Sequence, residues 1–403
     1  MVVLHFLSWA LLVAEVCIAF PVAYLCILSC SALISASRKS HIDIDKETLP
    51  QNNFALLIPA YNEEIILGTL LESLSHLDYP KELYTIYVIA DNCTDTTAEL
   101  ARRVEGVCVY ERFDRKKRGK GYALNWMLQQ IEEKQHDAYV MLDADSVVES
   151  TFLRVMNSEL ARGAKVLQAR YTVLNATESP SSALRWVALT LMNHVRPLGR
   201  NGIGGSSTLT GNGMCFSRDI LTRYPWQAFG IAEDYQYYLT LIQQGERVHY
   251  VPEAIVRAQM PITFAQMRTQ DVRWEALDPH ESQWRTAWQL LRGGLRVRSF
   301  IQIEAMMELL TPPLSIIVAS CLFVLAGSLL LWSLPQIVFG LLLIGGIVCY
   351  IATALYLLRA PRAVYKALLY VPWFVFWKLW VYLVLSRSSK HNQEWVRTAR
   401  TSS

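Results

Sequence analysis

The sequence predicts an α/β domain held between apolar helices, and three observations carry that reading. Short apolar or β-rich runs at 54–58, 84–89 and 138–142 are each followed by a helix-like stretch, the alternation of a sheet wound with helices. Charge is segregated along the chain: between residues 3 and 34 the only charged side chain is Glu15, and 312–358 is uncharged. The mean hydropathy of +0.21 with 18% charged residues is therefore the average of two regimes. Finally, carboxylates recur just past the apolar runs, where open α/β sheets bind their ligands.

Taken in order, the stretch 3–34 predicts a retained transmembrane helix. Ile27-Leu28-Ser29-Cys30 faintly resembles a lipoprotein cleavage box, but there is no basic segment ahead of it and the apolar run is too long for a leader. Pro21 predicts a kink. A span needs about 20 apolar residues, and 312–332 and 336–358 also qualify, forming a hairpin that turns at Ser333-Leu334-Pro335. Arg38 and Lys39, Arg296 and Arg298, and Arg359, Arg362 and Lys366 flank these spans, which places those ends in the cytoplasm and the N-terminus outside. The segment 364–385 contains Lys366, Pro372 and Lys378 among eight aromatic residues, the composition of an interfacial or re-entrant helix. Residues 295–310 read as an amphipathic helix on the cytoplasmic leaflet. The expected order is a transmembrane helix (1–36), a cytoplasmic α/β domain (37–294), an interface helix (295–311), a transmembrane hairpin (312–358), and an interfacial or re-entrant helix with a basic cytoplasmic tail (359–403).

Charge and composition exclude several classes. With 38 basic and 35 acidic residues the net charge is only +3, and Arg115-Lys116-Lys117-Arg118 is a local exception, so the footprint of a nucleic-acid binder is missing. The eight Cys form no C-x-x-C pair and read as free thiols. The eight His are dispersed, so a metal here would be held by oxygen.

The first run ends in Pro59-Ala60-Tyr61-Asn62-Glu63-Glu64, where polar side chains either hydrogen-bond a heterocycle or, as the simpler reading, cap the next helix. The second ends in Ala90-Asp91-Asn92-Cys93-Thr94-Asp95, for which an Asx turn or cap is again the simpler reading. The third ends in Asp143-Ala144-Asp145, two carboxylates suited to a divalent ion and a nucleotide's ribose or phosphates. Upstream, Arg118-Gly119-Lys120-Gly121 sets cations on a glycine-rich loop before a helix, which suits a diphosphate or is a solvated basic turn. Thr210-Gly211-Asn212-Gly213 supplies small residues for close approach. In Ala232-Glu233-Asp234 and Gln270-Asp271-Val272-Arg273-Trp274, a carboxylate can serve as general base, Arg273 can neutralise a leaving diphosphate, and Trp274 can stack on a sugar.

In this order, from about Phe54 to Trp274, the motifs resemble the membrane-integrated family 2 glycosyltransferases, the group of cellulose, chitin and hyaluronan synthases and ceramide glucosyltransferase. Gln270, Arg273 and Trp274 match the Q-x-x-R-W signature. The resemblance implies a GT-A fold and direct inversion from a nucleotide-diphosphate sugar, expected to be a UDP-sugar, with Mg²⁺ or Mn²⁺. It implies donor contacts from Pro59, Tyr61, Glu63, Asp91, Lys120, Asp143, Gln270 and Arg273, a metal ligand in Asp145, and a base in Asp234. Gly211, Asn212, Glu233 and Trp274 would face the acceptor. Ala232 replaces the Thr of the usual T-E-D, and Ala90-Asp91 replaces Asp-Asp. With only three or so helices, these departures favour a lipid or lipid-linked glycan acceptor at a bacterial inner or plasma membrane. The alternatives are a processive polysaccharide synthase and a silent scaffold subunit of an envelope polysaccharide complex. Membrane lipids, a homo-oligomer or an envelope biosynthesis complex are the expected partners.

Overall fold

The computed structural model describes residues 2–38, 49–260, 283–377 and 380. The first helix, α1 (Val2–Arg38), continues through Pro21 as one element. There follow β1 (Phe54–Ala60), α2 (Leu67–Ser75), β2 (Tyr84–Asp91), α3 (Thr97–Arg102), β3 (Val107–Arg112), α4 (Lys120–Gln130) and β4 (Ala138–Met141). Next come β5 (Ser146–Val148), α5 (Phe152–Ala161), β6 (Val166–Val173), α6 (Pro180–Thr190), α7 (Arg196–Gly202), β7 (Met214–Ser217), α8 (Arg218–Arg223), α9 (Glu233–Gln243) and β8 (Val248–Ala258). The three expected runs are strands β1, β2 and β4, each within two residues of its expected ends.

All eight strands form one sheet in the order β3-β2-β1-β4-β7-β6-β8-β5. β3, β2, β1 and β4 are parallel, whereas β7 is antiparallel to both β4 and β6. From β1 the chain winds outward to β2 and β3, then crosses back to place β4 on the other flank. The crevice between β1 and β4 is thus the switch point, and the loops after Ala60 and Met141 flank it. β1 is buried on both faces, as its unbroken apolar sequence requires. Leu56 and Ile58 pack on α2 and α5 through Leu70, Leu74 and Phe152, while Leu57 faces Leu124, Met127, Tyr237 and Ile242 of α4 and α9.

The helix expected over 295–310 is instead two: α10 (Gln283–Val297) and α11 (Phe300–Leu310). Arg298 ends α10 with a φ of +54°, and the Ser299 amide reaches back to the Gly294 carbonyl at 2.9 Å, the closure usually made by glycine at this position. Gly293 and Gly294 lack the side chains that would collide with Gln302 and Ile303, so α11 folds back against α10. The polar side chains of α11 point into the protein: Gln302 and Glu304 are buried.

α11 bends by 63° into α12 (Leu314–Leu330) at Pro312 and Pro313, which cannot continue a helix. α13 (Leu334–Leu357) carries Pro335 in its first turn, where a missing N–H costs nothing. Among the described residues, two helices, residues 5–38 of α1 and α13, are long and apolar enough to cross a membrane, or three if α11 and α12 form one broken span. Beyond them α14 (Arg362–Ala367) and a 3₁₀ turn at Leu368–Tyr370 lead into a helical stretch through Trp377. The remainder of the expected interfacial segment lies outside the described residues, as does the tail.

A third apolar core joins α1 and α13 to α6 and α7 through Val22, Leu25, Leu184, Leu198, Ile347 and Tyr350. A buried polar network runs through it. Arg200 of α7 pairs with Glu304 of α11 (2.6 and 2.9 Å) and donates to the Tyr238 hydroxyl of α9 (2.9 Å). The Tyr24 hydroxyl of α1 donates to Glu304 at 2.6 Å, and Arg196 pairs with Glu308 at 3.0 Å.

Candidate active site

The loops at the switch point are tied to one another. Asn62, at a φ of +55°, accepts from the Thr94 amide at 2.8 Å, and Glu64 accepts from the Thr96 amide (3.0 Å) and hydroxyl (2.6 Å). The Glu63 amide donates to Thr97 Oγ1 at 2.8 Å. The capping reading of Asn62-Glu63 fails here. α2 has no side-chain cap, and these residues join the β1 loop to the β2 loop. Pro59, next to last in β1, lies opposite Ile89 of β2, which sets Tyr61 and Glu63 just beyond the strand, half-buried, beside Asp91.

Asp91 lies opposite Arg112 in the β2–β3 register, and the two form a buried ion pair at 2.5 Å. Arg112 also donates to the Lys117 carbonyl at 2.6 Å, which holds the basic loop ahead of α4. Burial pushes the Asp91 carboxyl above its ordinary range, against the pull of Arg112. Asn92, at a φ of +54°, accepts from the Asp114 amide at 2.9 Å, so it is a bridge between loops and not a helix cap.

Lys120 organises the centre of the site. It opens α4 after Gly119, whose φ of +112° favours glycine, and Gly121 lets the helix start against the Ala228 backbone. The Lys120 ammonium lies 2.5 Å from Asp143 Oδ1 and 3.8 Å from Glu233 Oε1, and it donates to the Gly211 carbonyl. The basic-turn reading fails for this residue, although Arg115, Lys116, Lys117 and Arg118 are exposed as that reading requires. Gly211, at a φ of +76°, passes so close to Asp234 that a Cβ would stand 3.0 Å from its Oδ2. Asn212 is buried and accepts from the Asp143 amide at 3.2 Å while donating to Ser146 Oγ at 2.7 Å. Asn212 thus braces the D-x-D loop from beneath. Gln168 in turn clamps the Asn212 carbonyl (2.8 Å) and the Thr210 amide (3.0 Å).

Glu233 and Asp234 open α9, where the helix end favours negative charge. Burial dominates both and raises both. Glu233 is pushed up to about 7, and Asp234 above the usual carboxylate range, while Lys120 pulls each back. Burial also works against the Lys120 charge, but Asp143, Glu233 and Asp234 outweigh it and hold the ammonium well above its ordinary value. Among the described residues one cation therefore faces three carboxylates, an excess of negative charge on these elements of a half-buried crevice. A divalent ion bridged to substrate phosphates fits that excess, and Asp145, half-buried at the end of the same loop, offers a hard oxygen ligand. Among the described residues no group of three His, Cys, Asp or Glu would hold an ion unaided, so the phosphates would have to supply the remaining ligands.

Six of the expected residues, Lys120, Asp143, Gly211, Asn212, Glu233 and Asp234, are therefore in one cluster, and Pro59, Tyr61, Glu63, Asp91 and Asp145 lie at the same sheet edge. Gln270, Arg273 and Trp274 lie outside the described residues. Sequence reasoning missed Arg112, Ser146 and Gln168. The run Val107–Arg112, with an arginine at its end, is the signal that points to the first.

A half-parallel sheet with acids at its switch point and an acid pair opening a helix beside them defines a sugar-nucleotide transferase of the GT-A class. The family described as Glycosyltransferase like family 2 matches residues 50–276, and the chain belongs to it. It is 27% identical over 236 residues to a probable glycosyltransferase, YdaM, of Bacillus subtilis, covering 55% of this chain and 54% of that one. It is 30% identical over 172 residues to a beta-monoglucosyldiacylglycerol synthase of Nostoc, covering 41% of this chain and 36% of that one. The chain thus spans about half or less of the length of these relatives. Among solved structures, the mannosyltransferase PcManGT of Pyrobaculum calidifontis, in complex with GDP-Man and Mn²⁺, superposes with a TM-score of 0.53 at 16% identity. That match covers 91% of this chain and 99% of that one, and shows the fold.

Proposed function

We propose that this protein is an inverting glycosyltransferase, transferring a sugar from a nucleotide diphosphate, a UDP-sugar in the first instance, to a lipid or lipid-linked glycan at the cytoplasmic membrane face. Residues 37–294 would form the catalytic domain. The observation that carries the reading is the contact of Lys120 with Asp143 on the strand-end side and Glu233 on the α9 side, with Asp234 against Gly211 between them. Donor-end and acceptor-end carboxylates thereby converge on a single ammonium.

In this reading Asp234 accepts the proton of the acceptor hydroxyl as that oxygen attacks the anomeric carbon and the bond to the diphosphate breaks. Its raised affinity for protons suits it to that step. Lys120 pulls Asp234 back toward its ionised form, against burial, and, with Gln270 and Arg273, offsets charge building on the leaving diphosphate. Pro59, Tyr61, Glu63 and Asp91 flank the nucleotide, Glu233, Asn212 and Trp274 the acceptor. Mg²⁺ or Mn²⁺, held by Asp145 and the donor phosphates, would supply electrostatic stabilisation of the diphosphate. A lipid acceptor is supported by the apolar helices beside the domain and by the glucosyldiacylglycerol synthase among the relatives.

The test is a donor screen in native membranes, with and without added lipid extract, monitored by nucleotide diphosphate release. A discrete, organic-extractable labelled product is expected. A high-mass polymer would make the enzyme a processive synthase, and no turnover with any donor would leave a scaffold subunit.

A further inference from the structure

α10 presents three different faces. Thr286, Ala287, Leu290 and Gly294 are buried, with Leu290 in the same core as α4 and α9. Trp284, Trp288, Leu291 and Leu295 fall within about 60° of arc on a second face. Trp284 is 75% exposed, and Trp288 and Leu295 are each 64% exposed. Arg285, Arg292 and Arg296 line the flank between this stripe and the far side, and Arg298 follows at the helix end, all exposed. No acid occurs from residue 283 to 303, and among the described residues none of these four arginines pairs with one.

Solvent explains none of this. A helix held to the domain only by structural need would not leave two tryptophans in water, and an acidic protein partner would match the arginines but not the apolar stripe. A bilayer surface matches both, because indole rings and leucines enter the boundary below the headgroups while arginines remain level with the phosphates. Position agrees. α10 is followed by α11, only eleven residues long, and then by the bend into the apolar α12.

We propose that α10 is a lipid-docking element, its Trp284, Trp288, Leu291 and Leu295 stripe seated in the leaflet and its arginine row bound to anionic phospholipid headgroups. The site expected in the leaflet moves from 295–310 to 283–297, since Gln302, Glu304 and Glu308 of α11 are committed to the protein interior. Docking also reaches the site. Gln302 of α11 donates to the Ile242 and Gln243 carbonyls at the end of α9, the helix that opens with Glu233 and Asp234. A change in the seating of the α10–α11 pair is transmitted to that helix.

Two measurements on the full chain in vesicles test this. In phosphatidylcholine–phosphatidylglycerol vesicles, the emission lost on making Trp284→Phe/Trp288→Phe is expected to be quenched by lipids brominated near the top of the acyl chain and protected from aqueous iodide. Quenching by iodide alone would overturn the proposal, and this arm holds whether or not the enzyme turns over. The second arm rests on the proposed transfer activity and compares turnover in those vesicles with turnover in phosphatidylcholine alone. A ratio of at least about threefold is expected, collapsing as salt rises through the range where the screening length falls below 10 Å. Arg285→Gln/Arg292→Gln/Arg296→Gln should bring the ratio to one, and the corresponding Lys triple variant should restore it, separating charge from misfolding. An unchanged ratio in the Gln triple variant would overturn the arginine role.

Discussion

Two buried charge clusters in this protein are built on opposite principles. Under the membrane helices, Arg196 and Arg200 meet Glu304 and Glu308, two cations against two anions, with Tyr24, Tyr238 and Tyr350 hydroxyls taking up remaining valences. At the sheet edge, Lys120 is the cation that faces Asp143, Glu233 and Asp234 among the described residues. Balance marks the first as architecture, since each charge is compensated within the fold. The second gathers three carboxylates around one lysine at the ends of the strands, and in the proposed reaction the acceptor proton and the donor's charges are brought to it.

The contrast predicts that the same kind of substitution acts on different quantities in the two places. Asp234→Asn should lower turnover by about 10²–10⁴-fold while nucleotide binding, measured by calorimetry, changes little. Unchanged turnover would remove Asp234 from its role. In the balanced cluster Arg200→Met should instead cost stability, about 3–5 kcal/mol, because Glu304 is left buried without its partner. Arg200→Met/Glu304→Leu should recover most of that in thermal unfolding, and failure to recover would mean the pair does more than compensate itself.

Glu233 gives a pH-dependent version of the test. Burial lifts it from 4.5 to about 7, so the folded chain keeps this proton over a range where the unfolded chain loses it. Its contribution is therefore fully present below pH 4.5 and lost as pH rises through 7. Glu233→Gln should raise the unfolding free energy above pH 7 by about 1–3 kcal/mol, read from denaturant unfolding, and the gain should vanish near pH 4.5. A gain independent of pH would show that titration of Glu233 is not its source. The smallest effect is expected from Gly211→Ala. Strain at a φ of +76° costs about 1 kcal/mol, and the new methyl against Asp234 should depress kcat more than KM.

The strand ends were legible because an apolar run that stops at a carboxylate needs only local sequence to be seen. Asp91, Asp143 and Asp145 were found that way, and the sheet then gathered them at one edge. Their supports were not legible. Arg112 meets Asp91 across 21 residues and Gln168 meets Asn212 across 44, separations fixed only when strand order is known. The reversal between α10 and α11 was hidden for a different reason: an arginine, Arg298, occupies the left-handed position where glycine would have announced a helix end. Sequence periodicity also assigned the polar residues of α11 to the membrane surface, although Glu304 belongs to a buried pair with α7.

The packing of α1 sets a schedule for biosynthesis. Its permanent neighbours are late: Gly199, whose missing side chain lets α7 rest on the Leu28 backbone, then Glu304, and finally Gly346 of α13 against Val22 and Cys26. At about 5–20 residues per second, α1 waits about 15–60 s before the last of these surfaces is synthesised. Every strand of the sheet, ending with Ala258, is synthesised before Gly346, so the last surface that α1 needs comes after the sheet is complete in sequence.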